Sequence, residues 1–88
     1  MEADRCTARW SIAASPHPQL SLRLLGLLAQ QDRVPRSMQG ELDAEHFRLE
    51  IVIDDFPQRA AELIAEKMRS MVGVELVDLI IQHEQSRD

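Results

Sequence analysis

From Cys6 to Ala14 the chain alternates, with Cys6, Ala8, Trp10, Ile12 and Ala14 on one side and Thr7, Arg9, Ser11 and Ala13 on the other. A period of two predicts a strand with one buried face. Ser15-Pro16-His17-Pro18 must end it, because proline removes ladder donors; proline also suits the first turn of a helix. From Pro18 to Gln31 the rhythm becomes helical. Leu20, Leu24, Leu27 and Leu28 form a stripe, Leu22 and Leu25 widen it, and Arg23, Gln30 and Gln31 make the polar side. Gly26 costs about 1 kcal/mol relative to alanine, which is tolerable if the helix packs closely against a strand or another helix there. Asp32-Arg33 closes the helix.

Val34 to Leu42 is the weakest element, with only Val34, Met38 and Leu42 in apolar rhythm, and its Pro35 and Gly40 predict an edge strand. After the polar connector Asp43-Ala44-Glu45 comes the clearest strand. Phe47, Leu49, Ile51 and Ile53 point inward, and His46, Arg48, Glu50 and Val52 outward; so short a link predicts an antiparallel hairpin. Asp54-Asp55-Phe56-Pro57 reads as a helix start with an aspartate N-cap. Ala60, Leu63, Ile64, Met68 and Met71 then form an apolar stripe, with Glu62, Glu66, Lys67 and Arg69 solvated. Gly73 reads as the stop, and Val74 to Ile81 as a last strand, with Val77, Leu79 and Ile81 opposite Leu76, Asp78 and Ile80. The tail from Gln82 is polar.

The order β-α-β-β-α-β predicts an α+β ferredoxin-like sandwich, a four-stranded antiparallel sheet with two helices on one face. One domain is expected over residues 1–88, with a core at about 6–81 and a polar tail at 82–88. The other sheet face would carry Arg9, Arg48, Glu50, Val52, Leu76, Asp78 and Ile80. It is too apolar for a solvated surface and too charged for a core, which makes it a candidate docking surface.

Composition narrows the function. The 88 residues carry a net charge of −5 and are 3% aromatic, without tyrosine, so neither a base-stacking platform nor a basic track for nucleic acid or an anionic membrane is expected. A lone cysteine, Cys6, permits no intrachain disulfide and reads as a small buried hydrophobe. No apolar run approaches the ~20 residues of a membrane span, and the start, Met-Glu-Ala-Asp-Arg, lacks a leader's basic and apolar regions. The expectation is a cytoplasmic protein.

Catalytic chemistry finds no foothold in the pattern. Asp54-Asp55 is the one adjacent carboxylate pair, and N-capping accounts for it. His17, His46 and His83 lack metal-site spacing. The serines have no elbow motif, and Gly26, Gly40 and Gly73 lie too far apart for a phosphate loop. We expect no catalytic residue, cofactor or metal. Acylphosphatase would want a phosphate-binding arginine loop where Ser15-Pro16-His17-Pro18 stands, and a copper carrier would want a Cys-x-x-Cys.

The phrase from Pro18 to Gln31 resembles the first helix of ACT domains, the small regulatory modules of amino-acid metabolism. Ser37-Met38 and Phe47-Arg48-Leu49-Glu50-Ile51-Val52-Ile53 resemble stretches of the acetolactate synthase small subunit, of the short, single-domain (isozyme II) kind, over roughly residues 9 to 81. The resemblance implies a non-catalytic regulatory subunit of branched-chain amino-acid biosynthesis. Its partner would be a large thiamine-diphosphate-dependent catalytic subunit. It also implies an alternative, a stand-alone sensor holding a free amino acid between two copies. The effector residues would then be His17, Pro18, Gln19, Leu20 and Val34. The family's glycine is replaced by Gln19, whose side chain would crowd the ligand, another glycine by Asp32, and an asparagine by Val34; activation without strong feedback inhibition is therefore expected. A homodimer or larger assembly through the edge strand 34–42 is expected in either case.

Overall fold

The computed structural model describes residues 5–31 and 33–83. The elements run β1 (Arg5–Ala14), α1 (Pro18–Ala29), β2 (Ser37–Leu42), β3 (Phe47–Pro57), α2 (Gln58–Arg69) and β4 (Val74–His83). The strands form one antiparallel sheet in the order β2-β3-β1-β4. This is the expected βαββαβ sandwich. β1 is central, and its inward residues Cys6, Ala8, Trp10, Ile12 and Ala14 are all buried beside Phe47, Leu49, Ile51 and Ile53 of β3.

Trp10 anchors the core. Its ring meets Phe56 edge-on, with centroids 5.5 Å apart and planes at 89°, an arrangement worth about 0.5–1.5 kcal/mol beyond the area buried. Its Nε1–H donates to the Ala61 carbonyl of α2 at 3.3 Å, so the one polar atom of the indole keeps a partner. Cys6 is fully buried, and its Sγ lies 3.3 Å from the Phe56 carbonyl.

Several local expectations are corrected. Asp54 and Asp55 do not begin a helix. β3 runs on to Pro57, which is the N-cap of α2 without a side-chain capping bond. The register steps from Cys6↔Phe56 to Ala8↔Ile53, so the two aspartates face Thr7 alone in a β-bulge, with Asp55 at φ 54°. Three arginines hold it. Arg5 donates to Asp55 Oδ1 at 2.9 Å, Arg33 to the Asp55 carbonyl, and Arg36 to both oxygens of Asp54. Arg33 also lies over the Phe56 ring at 5.4 Å.

The helices differ from expectation in which residues they bury. α1 ends at Ala29, and Asp32 lies outside the described residues. Its core side is Leu20, Leu24 and Leu28, while Leu22 is 68% exposed and Leu25 is on the outer side with it. Gly26 is no close-approach point, since nothing lies within 4 Å of where its Cβ would be. α2 buries Ala61, Ile64, Ala65 and Met68, and Leu63 is exposed. Small alanines bring this helix close to β1. Arg69 is not merely solvated, because it donates from Nε and Nη2 to the Val77 carbonyl at 3.2 and 2.9 Å.

β2 spans Ser37 to Leu42 rather than 34–42, because Pro35 cannot join a ladder. His46 lies in the β2–β3 turn, where Asp43 Oδ1 accepts from the Glu45 and His46 amides at 2.8 Å each. Gly73 sits in the turn between α2 and β4 at φ 97°. Gln82 and His83 belong to β4 rather than to a tail, and the rest of that stretch, 84–88, lies outside the described residues.

Candidate functional site

Two surfaces carry the residues singled out from the sequence. The first is the start of α1. The Gln19 amide donates to Nδ1 of His17, the N-cap, at 3.2 Å, and the Leu20 and Ser21 amides donate to the His17 carbonyl at 3.1 and 3.4 Å. Pro18 has no N–H. A helix start binds an anion through unsatisfied amides, and here the amides of the first turn are engaged within the chain. Leu20 is a core residue, buried against Gly73, whose Cβ would come within 3.0 Å of its Cδ2. His17 and Gln19 are exposed. They border a depression of about 220 Å³ with Arg23 and Val72, and His17 borders a second, of about 320 Å³, with Ser21, Leu42 and Phe47.

Val34 is not brought to this place. It follows the far end of α1 and is 89% exposed, and a 12-residue helix is about 18 Å long. Within one copy, the five effector candidates therefore divide between the two ends of the helix.

The second surface is the sheet face away from the helices. The register arranges it in rows across β2, β3, β1 and β4: Glu41, Arg48, Ala13, Leu76; then Gln39, Glu50, Ser11, Asp78; then Ser37, Val52, Arg9, Ile80. Arg9 and Glu50 form an ion pair at 3.3 Å, and Ser11 donates to Glu50 at 3.2 Å. Leu76 and Ile80 are each 55% exposed, whereas Val52 is 4% exposed and serves as floor rather than as a contact. A shallow depression of about 270 Å³ lies between Arg48, Glu50, Leu76 and Asp78.

At the bulge, the hydrogen bonds of Arg36 and then of Thr7 hold the Asp54 carboxyl at a pKa of about 2. In the β2–β3 turn, the amides of Glu45 and then His46 lower that of Asp43. Both carboxylates are structural acceptors. Among the described residues no three His, Cys, Asp or Glu side chains gather as metal ligands, and no helix is long and apolar enough to cross a membrane.

The sequence signal that could have found the His17 cap is its place directly before a helix-starting proline. Nothing local marks Arg5, Arg33 and Arg36 as partners of the bulge.

The fold has clear counterparts among solved structures. The crystal structure of the ACT domain from GTP pyrophosphokinase of Chlorobium tepidum superposes with a TM-score of 0.77 at 16% identity, covering 86% of this chain and 99% of that one. Its solution structure gives 0.71 at 16% identity, covering 84% of each chain. The C-terminal domain of the MgtC protein from Mycobacterium tuberculosis gives 0.68 at 11% identity, covering 99% of each. No curated protein is a significant match to the sequence. A family model described as an ACT-like domain matches residues 1–86, and the chain belongs to that family.

Proposed function

We propose that this chain is a non-catalytic accessory subunit, similar to the acetolactate synthase small subunit, that acts by binding a large thiamine-diphosphate-dependent enzyme. ACT domains are in general regulatory and non-catalytic. The observation that carries the reading is the contrast between the two surfaces. The amides at the start of α1 already have acceptors, so an amino-acid carboxylate would have to displace the His17 cap. The sheet face has no helix over it and offers Leu76 and Ile80 among Arg48, Glu50 and Asp78, the mixture of apolar contact and flanking charge that a protein interface uses.

The mechanism is a population shift. A subunit that binds the active conformation of its partner more tightly raises the fraction of that conformation, and about 1.4 kcal/mol of difference is worth a factor of ten. No group of this chain need touch the reacting atoms.

The test adds the purified chain to the acetolactate synthase catalytic subunit of the same source. Acetolactate formation should rise to saturation, and Leu76→Asp with Ile80→Asp should abolish the rise. Turnover that ignores the wild-type chain overturns the reading. Titration calorimetry with valine, leucine and isoleucine should be silent. A micromolar signal would favour the second reading, an amino-acid sensor assembled from two copies. That reading is supported by the depressions beside His17.

A further inference from the structure

On one side the sheet ends at β4, ten residues long, six of them Val, Leu or Ile and none glycine or proline. A long apolar edge of that kind is a template for another strand. The ladder shows which backbone groups it offers. The Ser15 amide donates to the Gly73 carbonyl at 2.8 Å, and bonding alternates along an antiparallel pair. The odd-numbered residues of β1 therefore bond to β4, and their partners Leu76, Asp78, Ile80 and Gln82 turn their backbone groups inward. Val77, Leu79 and Ile81, opposite Ile12, Trp10 and Ala8, turn theirs to the free edge.

One of these outward groups is already taken. Arg69, the last residue of α2, reaches over the edge, and its Nε and Nη2 donate to the Val77 carbonyl at 3.2 and 2.9 Å. Charge-assisted bonds hold that oxygen more firmly than the neutral amide of an incoming strand would. Just before it the register steps from Ala13↔Leu76 to Ala14↔Val74, which leaves Glu75 as an extra residue in a bulge. Arg69 and Glu75 border one depression of about 230 Å³ with Val74, Leu76 and Val77, so this stretch presents charge and an uneven surface rather than a flat ladder. Beyond the fork the edge is open from Leu79 to His83, half of the strand.

We propose that Arg69 is an edge lock, whose fork on the Val77 carbonyl keeps β4 from pairing with β4 of a second copy. Directly opposed residues must lie on the same face of a continuous sheet. An antiparallel pair centred on Leu79 satisfies this and sets Val77 against the partner's Ile81, apolar against apolar on the helix side. That register needs the Val77 carbonyl, the atom Arg69 holds. Centring on Ile81 avoids the fork, but it sets Leu79 against the partner's His83 and shortens the ladder to the open half. The lock acts whether or not the chain serves a larger enzyme.

The test is amide hydrogen exchange of the full chain by NMR, with sedimentation equilibrium for mass and far-UV circular dichroism for folding. In the wild type the outward amides of Leu79 and Ile81 should exchange freely beside the protected amides of Asp78 and Ile80. In Arg69→Ala the outward amides should exchange about tenfold more slowly at millimolar concentration, and the mass should be about twice that of the wild type. Arg69→Lys, which keeps the charge but loses the fork, should do the same. Gly73→Ala, which strains the same turn and leaves the fork in place, should do neither. Outward amides already protected in the wild type overturn the lock. So do Arg69 variants that keep the wild-type mass and exchange, variants that enlarge while Leu79 and Ile81 still exchange freely, and a Gly73→Ala chain that assembles as they do. Arg69 variants that do not fold overturn it too, since the residue is then part of the fold and not a lock upon it.

Discussion

Arg36 grips Asp54 at two points, Nε to Oδ2 at 2.8 Å and Nη2 to Oδ1 at 2.7 Å, and Thr7 adds a bond to Oδ1 at 2.9 Å. The grip ties the connector between α1 and β2 to the bulge of β3, and so joins an edge strand to the interior of the sheet. It also sets the acid behaviour of the fold.

The Asp54 pKa falls from 3.8 to about 2 on folding. A depressed carboxylate contributes stability that is complete above its unfolded value and is lost as pH falls through the folded one. The thermal midpoint should therefore hold steady near neutrality and decline from about pH 4 to pH 2. Asp54→Asn should lower the midpoint at pH 7 and flatten that decline, leaving the share due to Asp43. Calorimetric scans from pH 7 to pH 2 measure both; an Asp54→Asn chain with the wild-type acid limb would assign the decline elsewhere.

Phe56→Ala should cost about 3–5 kcal/mol, because it removes a fully buried ring and leaves a cavity beside Trp10. Trp10→Phe should cost less, because the Ala61 carbonyl keeps its helical partner and the indole's bond to it is worth about 0.5–1.5 kcal/mol. Urea unfolding followed by circular dichroism gives both values.

Two glycines should answer to alanine with opposite signs. Gly26 is helical with open space around it, so Gly26→Ala should stabilise by about 0.5–1 kcal/mol. Gly73 has φ 97°, and an added Cβ would press on Leu20 at 3.0 Å. Gly73→Ala should destabilise by about 1 kcal/mol or more.

His17→Asp should raise the melting temperature. Aspartate is the stronger N-cap, and its charge complements the helix dipole, together worth about 0.5–1 kcal/mol. A thermal melt in the absence of any ligand decides it.

Much of this fold is legible in the sequence, for a reason visible in β1, β3 and β4. Each turns one face to the helices, so period two is written plainly from Cys6 to Ala14 and from Phe47 to Ile53. What was not legible depends on partners distant in sequence. Asp54-Asp55-Phe56-Pro57 has the local chemistry of a helix start, and only arginines at positions 5, 33 and 36 convert it into a bulge. On α2 the apolar stripe finds Ile64 and Met68, with Ala60 and Met71 beside them, but takes in the exposed Leu63 and misses Ala61 and Ala65, which are weak in hydropathy. At the candidate sites, the alternation placed Arg9, Glu50, Leu76 and Ile80 on the outer face. It could not reveal that Val52 is submerged between Ser37 and Arg9, or that His17 closes its own helix.

The core of β1 also carries its own instruments. Trp10 and Cys6, the only indole and the only thiol in the chain, lie on the same face of one strand, four residues apart, and neither has any exposed surface. Indole emission reports loss of packing around the Phe56 ring, and thiol labelling reports entry of reagent at the end of the same strand. Agreement between the two rates would mark global unfolding. Faster labelling would mark fraying that begins where β1 leaves the bulge, and no foreign probe would be needed to see it.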